Sequence, residues 1–222
     1  MKTMRFTGAA LIAVALCASP GVANIVGIDA IIQNYPAFGA GGAFAVTLVP
    51  EEIAVPSYLK FGKVNDGVAV RDMTFCVERN VTFSPGAQYE ATVDATILSG
   101  AANLNLTQTT KNLFAQYVMG GLAAYVGMNV DRNQALQAIF WKEQDNVALP
   151  GGAVGAEVAV ILANYNVDNG YAKNVRVLNL WTQPTSYEGD KQSHLVLVPA
   201  PAAAVLAVVG FGVVGWLRRR IA

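Results

Sequence analysis

An uncharged apolar run at residues 200–217 is the feature that most limits how this chain can fold. At about 1.5 Å of rise per residue, a helix of this length just crosses a hydrocarbon layer about 30 Å thick. Arg218, Arg219 and Arg220 follow directly and are typical of a stop that stays on the cytoplasmic side. A buried core helix is the alternative, but it has no need of a terminal basic cluster. The sequence therefore predicts a C-terminal transmembrane helix, and the folded unit must precede it.

The other end of the chain has the three parts of a secretory signal. MKTMR is a basic start, FTGAALIAVALCAS is an apolar stretch, and PGVA supplies small residues for a cut near Ala23. A membrane anchor is the alternative, but the apolar stretch is short for a span. A lipid site at Cys17 is disfavoured because Leu16 before it is bulky. We predict a signal peptide at residues 1–23, a domain at 24–197, and export across the inner membrane.

The charge balance differs between the ends and the middle of the chain. The 222 residues have a formal net charge of zero. Lys2, Arg5 and the three terminal arginines are five of the 15 basic residues, which leaves 10 basic residues against 15 acidic ones elsewhere. A mildly acidic middle gives no electrostatic reason to expect nucleic-acid binding.

Strand patterns come first and last in the middle segment, and helical patterns lie between them. Residues 87–98 alternate clearly, with Tyr89, Ala91 and Val93 on one side and Thr92 and Asp94 on the other, which predicts a half-buried strand. Further strands are predicted at 41–49, within 57–70 around a turn at Asn65-Asp66-Gly67, and at 71–83, 174–182 and 194–198.

Helices are predicted at residues 109–127, 131–144 and 153–166. Asp131 and Gln134 form a capping-box pair that marks the start of the second helix. Strands, then helices, then strands predict an α+β fold: an antiparallel β barrel or sandwich with a helical insertion.

The C-terminal segment resembles the PEP-CTERM sorting signals of exported bacterial proteins. Two prolines hold the chain extended before the span, and the motif consists of Val198, Pro199, Ala200, Pro201 and Ala202. Alanine stands where glutamate is typical, which is similar to the variant type whose motif ends in Pro-Ala. The resemblance implies an exosortase as processing partner, membrane anchoring before cleavage, and a final place at the cell surface or outside the cell.

Cys76 and Gln137 are the one pair of residues in the sequence whose chemistry suggests a reaction. Cys76 lies in the predicted strand TFCVE and is the sole cysteine after the signal peptide. Gln137 precedes Trp141 by four residues, so both share one helix face. The pattern resembles bacterial thioester domains, and also exosortase-sorted proteins with Cys-x-Glu, Ala-Tyr (here Ala124 and Tyr125) and Gln-x-x-x-Trp.

The resemblance implies that the Cys76 thiolate attacks the Gln137 amide and expels ammonia. Such a reaction needs near-attack geometry, a stabilised oxyanion and a dry pocket, and Phe75, Phe140 and Trp141 are the candidates for that dry wall. The product would wait for an amine-bearing surface ligand and give covalent adhesion without turnover. Leu136 and Ile139 depart from the threonine and the small residue that are usual around the glutamine.

Two alternatives stay open at this point. Cys76 is also compatible with a plain buried residue beside an exposed Gln137, in a membrane-anchored binding module without covalent chemistry. A cysteine enzyme needs a base, and the sole histidine, His194, is distant in the chain. One cysteine and one histidine give no metal-ligand spacing, and no cofactor is predicted.

Overall fold

A computed structural model of the chain describes residues 25–34, 43–49, 59–65, 67–98, 103–122, 129–183 and 188–199. The predicted signal peptide, the Ala124-Tyr125 pair and the segment from Ala200 onwards, with its membrane helix and arginine stop, lie outside these ranges and stay predictions. None of the helices within these ranges has the length and hydropathy of a membrane span.

An antiparallel sheet dominates the described fold, and three helices are inserted between its strands. In chain order the described elements are β1 (Ile25–Asn34), β2 (Phe44–Val49), β3 (Gly62–Asn65), β4 (Val70–Thr74), β5 (Gln88–Asp94), β6 (Thr96–Ile97), β7 (Leu104–Asn105), α1 (Gln108–Val118), α2 (Val130–Asp145), α3 (Gly152–Asn164), β8 (Val175–Gln183) and β9 (Glu188–Leu197). Seven strands form one sheet in the order β3-β4-β2-β1-β5-β8-β9, and all neighbours are antiparallel. The predicted combination of an antiparallel sheet with inserted helices is confirmed.

Backbone hydrogen bonds connect the two edges of this sheet. Lys60, just before β3, exchanges both of its backbone bonds with Leu197 of β9, at 2.8 and 2.9 Å. The chain just after β4 also bonds to β9, through one bond at each of two positions: the Leu195 N–H donates to the Phe75 carbonyl (3.0 Å), and the Val77 N–H donates to the Ser193 carbonyl (2.9 Å). Strand β9 therefore has backbone partners on both sides.

The helix starts show why local side chains set these boundaries. Thr107 caps α1 by accepting from the Thr110 N–H at 3.2 Å, and Asn129 caps α2 by accepting from the Arg132 N–H at 2.9 Å. The predicted capping box at Asp131 is therefore wrong. Asn129 supplies the acceptor two residues earlier, and Asp131 lies inside the first turn, where its charge favours the helix dipole.

The prediction that the polar side of residues 87–98 faces solvent is also wrong at two positions. Thr92 and Asp94 are buried, and their side chains hydrogen-bond to each other at 2.7 Å. Asn179 of β8 donates to Asp94 at 3.0 Å, and the Trp181 indole donates to Thr92 at 3.2 Å. A polar network thus pairs these side chains inside the fold, as buried polar groups require, and β5 ends at Asp94 before the exposed Ala95.

Strand β1 was not predicted from the sequence, although it lies in the middle of the sheet between β2 and β5. The first predicted helix also ends earlier than expected, at Val118. Two residues later, Gly120 has a positive φ of 81°.

Two apolar cores lie on opposite faces of the sheet. The helix-side core joins the three helices to the strands and includes Phe75, Val77, Leu113, Leu136, Phe140, Ile161 and Leu195. The Cys76 core is formed by strand and loop residues, including Ala30, Phe44, Cys76, Tyr89, Leu178 and Val196. Because successive residues of an extended chain point to opposite faces, Phe75 and Val77 enter one core while Cys76 enters the other.

Candidate functional site

Cys76 lies where the chain leaves β4 and pairs with β9. Cys76 is fully buried, and its thiol forms no disulfide bond. It stands opposite His194 in an antiparallel bridge. The bonds to β9 come from Phe75 and Val77 on either side, so the N–H and C=O of Cys76 point away from β9.

Gln137 of α2 takes those two backbone groups. Its Oε1 accepts from the Cys76 N–H at 3.1 Å, and its Nε2 donates to the Cys76 carbonyl at 2.7 Å. The carboxamide therefore makes the two hydrogen bonds to Cys76 that the backbone of a neighbouring strand would otherwise make. Gln137 is fully buried, which corrects the alternative reading of it as an exposed helix residue.

The Cys76 thiol also contacts the same carboxamide. Sγ donates to Oε1 of Gln137 at 3.3 Å, and the carboxamide carbon is one bond away from that oxygen. The sequence pairing of Cys76 with Gln137 thus corresponds to a direct contact. The Cys76 N–H already points at the oxygen that would become negative if the sulfur attacked, which is the geometry of an oxyanion donor.

The three predicted wall residues do not share one position. Phe75 and Phe140 contact each other edge to face, with ring centroids 5.3 Å apart, and both belong to the helix-side core. Trp141 packs against the Cys76 core instead. Its indole N–H is buried, and it lies close enough to the Cys76 thiol to lower the pKa of that thiol by hydrogen bonding. Trp141 is thus the one predicted wall residue on the side of the thiol.

The electrostatic surroundings keep the thiol protonated. Burial raises the pKa of Cys76 far above the usual thiol range, and the carboxylates of Glu78 and Asp145 add smaller increases. The Trp141 side chain and the Cys76 backbone lower the pKa by less than burial raises it. A neutral thiol is a poor nucleophile, so any attack on Gln137 needs a group that removes the proton.

His194 is the residue that sequence reasoning missed. It was dismissed because it is distant in the chain, yet the pairing with β9 places it directly opposite Cys76. The side chain is fully buried, and burial lowers the pKa of His194 to about 3, so the imidazole is neutral. Phe44 and Phe83 contact the ring edge to face at centroid distances of 5.5 and 5.4 Å. No local pattern in the sequence signals this long-range pairing.

A groove of about 240 Å³ opens beside the site and is lined in part by residues of α2. Trp141 lines the groove and also packs against the Cys76 core, so its indole lies between the groove and the thiol. The other lining residues are Arg79, Gln134, Ala138, Val147, Ala148, Pro150 and Val154.

The predicted sorting motif begins at the end of the described chain. The Val198 N–H donates to the Asn174 carbonyl at 2.9 Å, and Val198 and Pro199 are half-buried. Ala200, Pro201 and Ala202 lie beyond the described residues, as do the three arginines. Within the described ranges no cluster of three or more His, Cys, Asp or Glu side chains is placed to hold a metal ion.

The chain matches no protein-family model, no curated protein and no solved structure.

Proposed function

We propose that this chain is an exported surface or extracellular-matrix protein whose domain carries an internal thioester between Cys76 and Gln137. The single observation that supports it is the 3.3 Å contact between Sγ of Cys76 and Oε1 of Gln137 inside a fully buried pocket. The hydrogen bonds between the two sheet edges favour a closed barrel for this domain.

The proposed step converts a thiol and an amide into a thioester and ammonia. The sulfur forms a bond to the carboxamide carbon, the oxygen becomes an oxyanion that accepts from the Cys76 N–H, and the C–Nε2 bond then breaks. The thiol proton leaves with Nε2 as part of the ammonia. The thioester is an electrophile: an amine on a surface ligand forms an amide bond to the side-chain carbonyl carbon of Gln137, and the C–S bond breaks to release the Cys76 thiol. The reaction occurs once, so the protein adheres and does not turn over substrate.

The groove beside Trp141 is the proposed approach for that amine. It reaches the indole that covers the thiol side of the pocket. A covered thioester is shielded from water, and movement of Trp141 would admit the ligand.

A non-covalent binding module is the second candidate, and one observation favours it. Both hydrogen bonds from the Gln137 carboxamide to the Cys76 backbone stabilise the fold without any reaction. A cysteine enzyme fits less well, since Cys76 and His194 are fully buried and a substrate would have to enter and leave that site in every turnover.

Tryptic peptides of the full-length exported protein test the thioester directly. After alkylation of free thiols in denaturant, peptide 72–79 is expected to be joined to peptide 133–142, with a mass lower by about 17 Da, the mass of the expelled ammonia. Cys76→Ala and Gln137→Glu are the controls and are expected to yield no joined peptide. Complete alkylation of Cys76 in the wild-type protein would contradict the thioester and leave the non-covalent module.

The C-terminal segment is proposed to direct sorting, after a signal peptide at residues 1–23 has exported the chain. In this scheme a transmembrane helix and Arg218–220 retain the precursor until an exosortase reads the motif that begins at Val198. In a host with an exosortase, the wild-type protein is expected to appear in a released form that lacks the apolar segment, as measured by intact mass.

A double variant, Pro199→Ala with Pro201→Ala, is expected to remain full-length and membrane-bound, because the chain before the span is no longer held extended. Pro85→Ala, in an exposed turn of the domain, is the matched control and should be released normally. Finding only full-length, membrane-bound wild-type protein in that host would count against sorting.

A further inference from the structure

The imidazole of His194 is buried without a hydrogen bond. Both ring nitrogens lack a partner among the described residues, and the side chain has no exposed surface. Its neighbour Ser193 is satisfied, since its hydroxyl donates to Asn179 at 2.9 Å and its N–H donates to Glu78 at 3.0 Å. Leaving a buried polar group unpaired is costly, so the two free nitrogens of His194 call for a physical reason.

The position of His194 supplies that reason. Cys76 and His194 form a non-hydrogen-bonded antiparallel pair, because the backbone bonds run through Phe75, Val77 and the residues opposite them. In such a pair the two side chains project from the same face of the sheet and lie closer together than in a hydrogen-bonded pair. The imidazole and the thiol therefore share one dry space.

Other groups near the thiol are less suited to take its proton. The Asp145 carboxylate accepts the Arg79 N–H at 2.8 Å, and the Glu78 carboxylate accepts the Ser193 N–H. Both are thus engaged with backbone donors. The His194 imidazole is neutral, and a neutral imidazole has one nitrogen that accepts a proton and one that carries it.

We propose that His194 is the proton acceptor for thioester formation between Cys76 and Gln137. The thiol turns from Oε1 of Gln137 toward the imidazole. It gives up its proton only as the sulfur binds the carboxamide carbon, because burial disfavours both a free thiolate and a free imidazolium. The imidazolium then returns that proton to Nε2 as the C–N bond breaks, and ammonia leaves. No external reactant is required. The inference rests on the proposed thioester and adds the group that makes a neutral buried thiol reactive.

The rate of link formation in pulse-labelled full-length protein tests the role of His194. His194→Gln and His194→Leu are expected to form the joined peptide at least about 100-fold more slowly than wild type, the lower end of what a positioned base contributes. Val70→Ala changes an exposed side chain outside the site and removes no base, and it is expected to form the link at the wild-type rate. Thermal unfolding of each variant reports whether the fold is retained.

A chemical readout separates a proton acceptor from a packing residue. His194→Gly leaves space for imidazole, and added imidazole is expected to restore link formation in this variant but not to accelerate it in wild type. Unchanged rates in folded His194→Gln and His194→Leu, or no rescue in folded His194→Gly, would overturn the inference while the thioester stands. Absence of the joined peptide in wild-type protein would instead remove the proposed function.

Discussion

Gln137→Leu is expected to lower the free energy of unfolding by about 2–6 kcal/mol, because it leaves two buried backbone groups of Cys76 without partners. The Cys76 N–H and carbonyl face away from β9, so no strand can replace the lost carboxamide. Urea denaturation in a Cys76→Ala background measures the effect without any contribution from a covalent bond. This expectation holds whether or not the thioester forms.

Gln108→Leu is the matched control for that experiment. Gln108 begins α1, is exposed, and donates through its side-chain Nε2 to Oδ1 of Asn112 at 3.2 Å. Its substitution is expected to change the free energy of unfolding by no more than about 0.5 kcal/mol. An equally small change for Gln137→Leu would mean that the bonds to Cys76 contribute little to the fold.

Phe75→Ala should lower the free energy of unfolding by about 3–5 kcal/mol, the usual cost of deleting a buried aromatic ring. Phe75 is fully buried and contacts Tyr117 and Phe140 edge to face, with centroid distances of 5.1 and 5.3 Å. Its loss opens a cavity in the helix-side core, next to the residue that carries the thiol. Thermal and urea unfolding monitored by circular dichroism give the change.

Val70→Ala, at the start of β4, which ends just before Phe75, is the control for Phe75→Ala. Val70 is 63% exposed, so its truncation removes little buried surface. The free energy of unfolding is expected to change by less than about 0.5 kcal/mol. A loss of less than about 1 kcal/mol for Phe75→Ala would show that the helix-side core collapses around the missing ring.

Local patterns predicted the elements of this fold better than its long-range pairings. Residues 131–144 and 174–182 have clear helix and strand patterns, and both elements are present as α2 and β8. Strand β1 was missed, although it forms the middle of the sheet. Thr92 and Asp94 were assigned to an outer face because their polarity suggested solvent, while a tertiary network with Asn179 pairs them inside.

In the candidate site, too, local motifs were predictive and long-range strand pairing was not predicted. Cys76 and Gln137 were paired through a resemblance in short motifs, and the structure places them in contact. His194 could not be found this way, because its position opposite Cys76 depends on the register between β9 and the chain after β4. Phe75 was expected near the thiol, but the alternation of an extended chain turns it to the opposite core.

The backbone bonds on both sides of β9 have a mechanical consequence. A pulling force applied to the chain beyond Pro199 would first load β9, which is bonded along its length to β8 and along its other side to Lys60, Phe75 and Val77. These bonds run across the strand, so they would have to shear together and could not open one at a time. Under tension the last strand would therefore yield late, and the load would pass directly into the segment that holds Cys76.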